Sequence, residues 1–284
     1  MKILVTGATG FIGSHLIFEL LKNKSYQIIA TSRSINKAMK FEWFSKVKFI
    51  EYDFNSGNNY DLYNLFGNPD QIIHLAWNNL SDVKNPIHLK ETLINHHKFI
   101  ENMVVAGLKE IVVTGSCFEY GMTQGSLSED IVPNPINSYG KAKDKLRRLI
   151  IDLKKNYNFT YKWIRIFYVY GERQSKTSLM HLLDMAIKNK DTEFNMSGGE
   201  QIRDFLHIDD AVRYITLISN QKIYLNQAIN CCSGKPISIK NLVMKYLEEK
   251  NYSMKLNLGF YPYLDYEPMS FWGDRFYLDK LLEK

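Results

Sequence analysis

Residues 6–13 read Thr6-Gly7-Ala8-Thr9-Gly10-Phe11-Ile12-Gly13, directly after the apolar run Ile3-Leu4-Val5 and before a helical pattern over 11–23. Three glycines at a strand-to-helix junction have separate jobs. Gly7 permits a tight turn, Gly10 lets backbone approach a pyrophosphate, and Gly13 lets the helix pack on the strand. The helix N-terminus adds free N–H groups and the positive end of its dipole. The stretch reads as a dinucleotide-binding turn, with Thr9, Phe11 and Ile12 as cofactor-binding candidates beside the glycines.

Working outward, strand-like apolar runs recur at 3–6, 27–31, 47–52, 71–76, 110–114 and 161–169. Helical patterns lie between them at 11–23, 86–106 and 138–156, with Pro86 and Gly107 placed as a first-turn proline and a C-terminal glycine should be. Several strands are apolar on both faces, as parallel strands covered by helices are. The expectation is an α/β protein with a doubly wound (Rossmann) parallel sheet. Beyond Gly171 the alternation loosens into a small mixed α/β lobe, so we expect a cofactor domain over 1–171 and a substrate lobe over 172–284, with segments returning to the first domain.

Composition narrows the classes. The chain has 284 residues, 45% hydrophobic and 23% charged, which excludes disorder and collagen-like order. Three cysteines, Cys117, Cys231 and Cys232, form neither a disulfide scaffold nor a C-x-x-C zinc pair, so no metal is expected. Net charge is +6, without a basic tract interleaved with aromatics, so nucleic acid is not indicated. No apolar run is long enough for a membrane helix, and a cytoplasmic protein is expected.

The second strand ends at Thr31-Ser32-Arg33. A carboxylate about 20 residues past the glycines would hold a ribose 2′-hydroxyl, whereas an arginine accommodates a 2′-phosphate. Arg33, with Ser32, therefore favours NADP(H), with NAD(H) as the alternative. Asp53 at the end of the third strand either accepts from the adenine amine or caps the next helix, and Phe54 adjoins it. Tyr139 and Lys143 lie four apart on one helix face. An ammonium beside that phenol is expected to lower its pKa and make it a usable acid–base group. Ser116, at the carboxyl end of the fifth strand, sits where open α/β sheets bind ligands and can polarise a carbonyl.

With these residues the chain resembles the extended short-chain dehydrogenase/reductases of the NAD-dependent epimerase/dehydratase type, which act on nucleotide sugars. The resemblance rests on the glycine turn, His74-Leu75-Ala76, Ser116 with Tyr120-Gly121, Ser138-Tyr139-Gly140-Lys141-Ala142-Lys143, and Arg203-Asp204-Phe205-Leu206-His207-Ile208-Asp209-Asp210. It implies cofactor contacts at Leu75 and Ala76 and a catalytic trio of Ser116, Tyr139 and Lys143. It also implies a homodimer through the helices at 86–106 and 138–156, and a diphosphate ligand in Arg203. An arginine fork suits phosphate; the alternative is a pair with Asp204 or Asp209.

Departures within the family select a reaction. Dehydratases place Asp-Glu after the catalytic hydroxyl residue, where this chain has Cys117 and Phe118; Glu119 comes one position too late. Phe118 also stands where a related subgroup has a proton-shuttling cysteine. The segment 115–122 is most similar to dTDP-4-dehydro-6-deoxyglucose reductases. The implied reaction is NADPH-dependent reduction at C4 of a nucleotide-linked 4-keto-6-deoxyhexose, giving dTDP-fucose, with Cys117, Phe118 and Tyr168 facing substrate. Alternatives are a C4 epimerase holding NAD tightly and a non-catalytic dinucleotide sensor. Arg275 is a candidate second diphosphate ligand or an ordinary surface arginine.

Overall fold

In the computed structural model, which describes residues 1–56 and 61–283, the chain runs through β1 (Lys2–Thr6), α1 (Phe11–Leu20), β2 (Gln27–Ser32), α2 (Ile35–Ala38), β3 (Lys48–Glu51), α3 (Leu62–Leu65) and β4 (Gln71–His74). Next come α4 (Leu93–Val105), β5 (Glu110–Ser116), β6 (Gly125–Leu127), α5 (Ser138–Lys154) and β7 (Thr160–Ile166). The remainder is β8 (Tyr168–Tyr170), α6 (Leu179–Asn189), β9 (Glu193–Asn195), β10 (Ile202–His207), α7 (Ile208–Asn220) and β11 (Gln227–Cys231), then β12 (Pro236–Ser238), α8 (Ile239–Glu249), β13 (Lys255–Asn257), β14 (Phe271–Gly273) and α9 (Phe276–Leu282).

Side-chain alternation along β1 explains the layers. Ile3 and Val5 enter one core with α1 and α7, whereas Leu4 enters the other with α4 and α5. Both faces of the strand are therefore buried, as its apolar run requires. Seven parallel strands form the main sheet in the order β11-β7-β5-β4-β1-β2-β3. The order reverses between β1 and β4, which opens the ligand crevice at their carboxyl ends. There the glycine turn is packed to its limit: a Cβ on Gly13 would lie 2.2 Å from the Gly7 carbonyl oxygen.

Two sequence expectations need adjustment. The helix expected from Pro86 begins with a wide π-type turn at His88–Thr92, and regular α-helix starts only at Leu93. The strand expected over 161–169 divides at Phe167: β7 lies in the main sheet, whereas β8 joins β10 and β12 in a three-stranded sheet. An unbroken apolar run carries no sign of which sheet each residue joins. Later in the chain, β11 pairs with β7 and α7 packs on α1. Of the other late elements, α6, β9 and α8 build a separate core around Met180, Leu183, Phe194, Met196 and Val243, whereas Leu278 and Leu281 of α9 join the core of α1 and α7.

Candidate active site

Ser116 ends β5 with its side chain turned into the crevice. Its hydroxyl oxygen accepts from Phe118 N–H at 3.2 Å, and its own N–H donates to Glu119 Oε1 at 2.9 Å, closing a capping box on the turn Cys117–Tyr120. Tyr139 enters from the first turn of α5, whose start is fixed by Asn137 accepting from Gly140 N–H and by Tyr139 N–H donating to Val83 O at 2.9 Å. One turn later Lys143 is buried; its Nζ donates to Thr114 O at 2.8 Å and lies 3.9 Å from the Trp77 ring centroid.

These three line a single cavity of about 440 Å³ together with Gly7, Thr9, Gly10, Phe11, Ile12, Gly13, Ser32, Arg33, Phe54, Leu75 and Ala76. The dinucleotide-binding reading thus has a physical seat: a glycine cradle too tight for Cβ atoms, open N–H groups at a helix start, and a crevice at the sheet's switch point. Trp77 also lines it, unmarked in the sequence reading. The Trp77 indole N–H donates to His88 Nδ1 at 3.1 Å, and its ring stacks on His96 at 5.0 Å. The clue was an aromatic directly after His74-Leu75-Ala76.

Asp53 accepts from Asn55 N–H at 3.0 Å, a turn-capping contact, and is not among the residues that line the cavity. The Lys143 ammonium is turned toward Thr114 and Trp77 and lies 5.8 Å from the Tyr139 ring centroid, so the expected lowering of the phenol is not what dominates there. Burial pushes the phenol above its usual range, Glu119 and Cys117 add to the rise, and Ser116 opposes it. Burial also lowers Lys143 to about 7, against a partial rise from Glu119. Cys117 is buried among Tyr120, Leu127, Phe167 and Phe271, and Phe118 stands edge-on to Tyr139 at 6.2 Å.

Tyr168 and Arg203 line a neighbouring cavity of about 370 Å³. Arg203 pairs with neither Asp204 nor Asp209. Its fork holds Glu267, 64 residues away, at 2.8 Å, while Asp204 accepts from the N–H groups of Ser233 and Gly234. Arg275 pairs with Asp279 and donates to the Cys232 carbonyl, outside both cavities. His207 caps α7. Among the described residues no cluster of ligating side chains suits a metal ion, and no helix is long and apolar enough to cross a membrane.

Behind the cavity, His74 Nδ1 lies 2.9 Å from Thr6 Oγ1 and His74 Nε2 lies 2.7 Å from His96 Nδ1. Burial holds His74 well below its ordinary pKa and His96 at about 3, with Lys143 adding to both effects. In the unfolded chain both histidines take up protons near pH 6.5, whereas in the fold they stay neutral. Unfolding therefore binds protons below that pH, and stability falls as pH drops. The unfolding free energy from urea titrations should decline steadily from pH 6.5 to 5, with a slope of up to about 1.4 kcal/mol per pH unit for each histidine. His96→Phe should flatten that decline.

The profile of the NAD dependent epimerase/dehydratase family matches residues 3–232. The chain is similar to the dTDP-6-deoxy-L-talose 4-dehydrogenase (NAD(+)) of Aggregatibacter actinomycetemcomitans, 29% identical over 276 residues that cover 96% of this chain and 99% of that protein. It is similar to the CDP-abequose synthase of Salmonella muenchen, 26% identical over 99% of this chain and 91% of that one. Among solved structures, a UDP-glucuronic acid 4-epimerase from Bacillus cereus in complex with UDP-glucuronic acid and NAD superposes with a TM-score of 0.86. It is 28% identical, with 100% of this chain and 93% of that chain covered.

Proposed function

The chain belongs to the NAD-dependent epimerase/dehydratase family, and from that premise we propose that it interconverts the 4-keto and 4-hydroxy forms of a nucleotide-linked 6-deoxyhexose, chiefly as a reductase. The observation carrying this reading is the convergence of Ser116, Tyr139 and Lys143 on the cavity that holds the glycine cradle. NAD(H) or NADP(H), when bound, supplies the hydride chemistry at C4. Ser116 Oγ–H holds the C4 oxygen, and Tyr139 Oη gives its proton to the developing alkoxide. Lys143, held between Thr114 O and the Trp77 ring, anchors the cofactor-side hydroxyls. Arg203 and Tyr168 take the nucleotide end, with the late lobe over 172–284 as its housing. The relative acting on a dTDP-6-deoxyhexose at C4, aligned end to end, supports this reading; reduction to dTDP-fucose is its narrowest form.

The relatives' names point to NAD, while Arg33 on the cavity wall fits a 2′-phosphate. We therefore expect turnover with both reduced cofactors, and Arg33→Asp should shift the preference toward NADH by about tenfold or more. The test is to offer NADH and NADPH with a panel of nucleotide 4-keto-6-deoxysugars, follow loss of reduced cofactor and identify the product by NMR. No cofactor consumption by a folded protein with any of them overturns the reductase. The second reading, C4 epimerisation, is favoured by the 4-epimerase superposition; it predicts copurifying stoichiometric NAD and no net oxidation. A cytoplasmic homodimer through α4 and α5 completes the proposal, and a monomeric mass across a wide concentration range overturns the dimer.

A further inference from the structure

We propose that Glu267 is a built-in stand-in for the substrate's diphosphate, holding Arg203 in the free protein and yielding it when a nucleoside diphosphate enters. The inference rests on reading the Tyr168–Arg203 cleft as the nucleotide-sugar site. Arg203 is nearly fully buried, and each of its three guanidinium nitrogens has a partner. Nε and Nη2 both meet Glu267 Oε2, at 3.2 and 2.8 Å, while Nη1 donates to the carbonyls of Ile202 at 2.9 Å and Met269 at 3.3 Å. The guanidinium also lies 4.5 Å from the Phe271 ring centroid. Both charged residues line the same cavity, so the carboxylate occupies the edge of the fork that faces it.

A buried guanidinium cannot be left without an anion, because an uncompensated charge in the interior is strongly destabilising. A phosphate site built on such an arginine therefore needs a resident partner whenever the ligand is away. Glu267 meets that need from the inner end of a strap that lies largely at the surface. Residues 258–264 on the same strap expose Leu258, Phe260, Tyr261, Tyr263 and Leu264. The strap's side-chain ties are exposed ones, Tyr263 to Glu200 at 2.9 Å and Lys84 to Asp265 at 2.7 Å, and its backbone is pinned at Met196 by Phe260 N–H and at Met269 by Ile202 N–H. Solvent screening makes such side-chain ties weak. The exchange also filters ligands. A tethered carboxylate competes at an effective concentration of about millimolar or more, so weak monoanions do not displace it. A diphosphate brings more charge and paired oxygens that fit the fork.

Calorimetric titration of dTDP and UDP into wild type and Glu267→Gln tests this. The amide oxygen still accepts from Arg203 while the competing charge is gone; the guanidinium then lacks an anion, so the ligand-free variant should lose stability and regain it when dTDP or UDP binds. Binding should tighten by about tenfold in Glu267→Gln, since the diphosphate no longer displaces an ion pair. Arg203→Met/Glu267→Met, which removes both charges, should fold and bind neither nucleotide. Should Glu267→Gln not fold, Glu267→Asp, one methylene shorter, should tighten binding in a milder form. Binding to wild type with no gain in the folded variant overturns the exchange and leaves the nucleotide-sugar reading standing. No binding to either protein overturns both.

Discussion

Replacing Tyr139 by phenylalanine should lower kcat for ketosugar reduction by about 10²–10⁴-fold, the range a positioned acid–base group supplies. The substitution removes one oxygen and leaves the scaffold. Tyr139 N–H still donates to Val83 O, and the ring still meets Phe118 at 6.2 Å and Trp77 at 6.0 Å. Thermal unfolding and NADH binding should consequently change little, which separates a chemical loss from a structural one. Burial and the Glu119 carboxylate keep the phenol protonated at neutral pH, the form that donates to an alkoxide. Reduction by wild type should therefore hold steady through neutral pH, and the reverse oxidation should climb as pH rises and the phenol can accept. A folded Tyr139→Phe that reduces the ketosugar at the wild-type rate removes Tyr139 from the mechanism.

Much of the cofactor half was legible in the sequence, because its signals are local. A strand period of two, a helix period near four and glycines at fixed offsets all act within about 20 residues, and β1, α1 and the glycine turn lie where that reading puts them. The meeting of Ser116, Tyr139 and Lys143 on one cavity was legible for the same reason: Tyr139 and Lys143 share one helix face, and Ser116 closes a strand. What escaped the sequence depends on pairings between distant residues. Arg203 finds Glu267 across 64 positions, Glu119 finds Arg165 across 46, and the seam between β7 and β8 depends on which sheet each half joins. Lys143 was misread for a subtler cause. Spacing gave its neighbour on the helix but not Trp77, which arrives from the end of β4 and gives the ammonium an aromatic face.

Glu119 is the residue for which position in the sequence suggested least and the structure assigns most. Its side chain is completely buried, and four donor contacts converge on the carboxylate. Ser116 N–H reaches Oε1 at 2.9 Å, Trp163 Nε1 reaches the two oxygens at 2.9 and 3.1 Å, and Arg165 Nε reaches Oε2 at 3.0 Å. A carboxylate so engaged ties the turn after β5 to Trp163 and Arg165 of β7. Glu119→Ala should destabilise the protein by about 3–5 kcal/mol, because Arg165 is left charged, buried and unpaired. Urea unfolding measures the loss. Replacing both charges, as in Glu119→Leu/Arg165→Met, should recover a large part of it, since an apolar pair leaves no unpaired charge. A Glu119→Ala protein within about 1 kcal/mol of wild type would show that this cluster does not hold the turn. The catalytic effect comes from the same contact. Without the carboxylate the capping box opens and Ser116 loses the partner of its N–H, so kcat should fall further than cofactor affinity in whatever fraction folds. Gly115 enforces the arrangement from the other side: a Cβ there would lie 2.1 Å from Trp163 Nε1 and 2.2 Å from Glu119 Oε1, so any larger residue before Ser116 should break the same cluster.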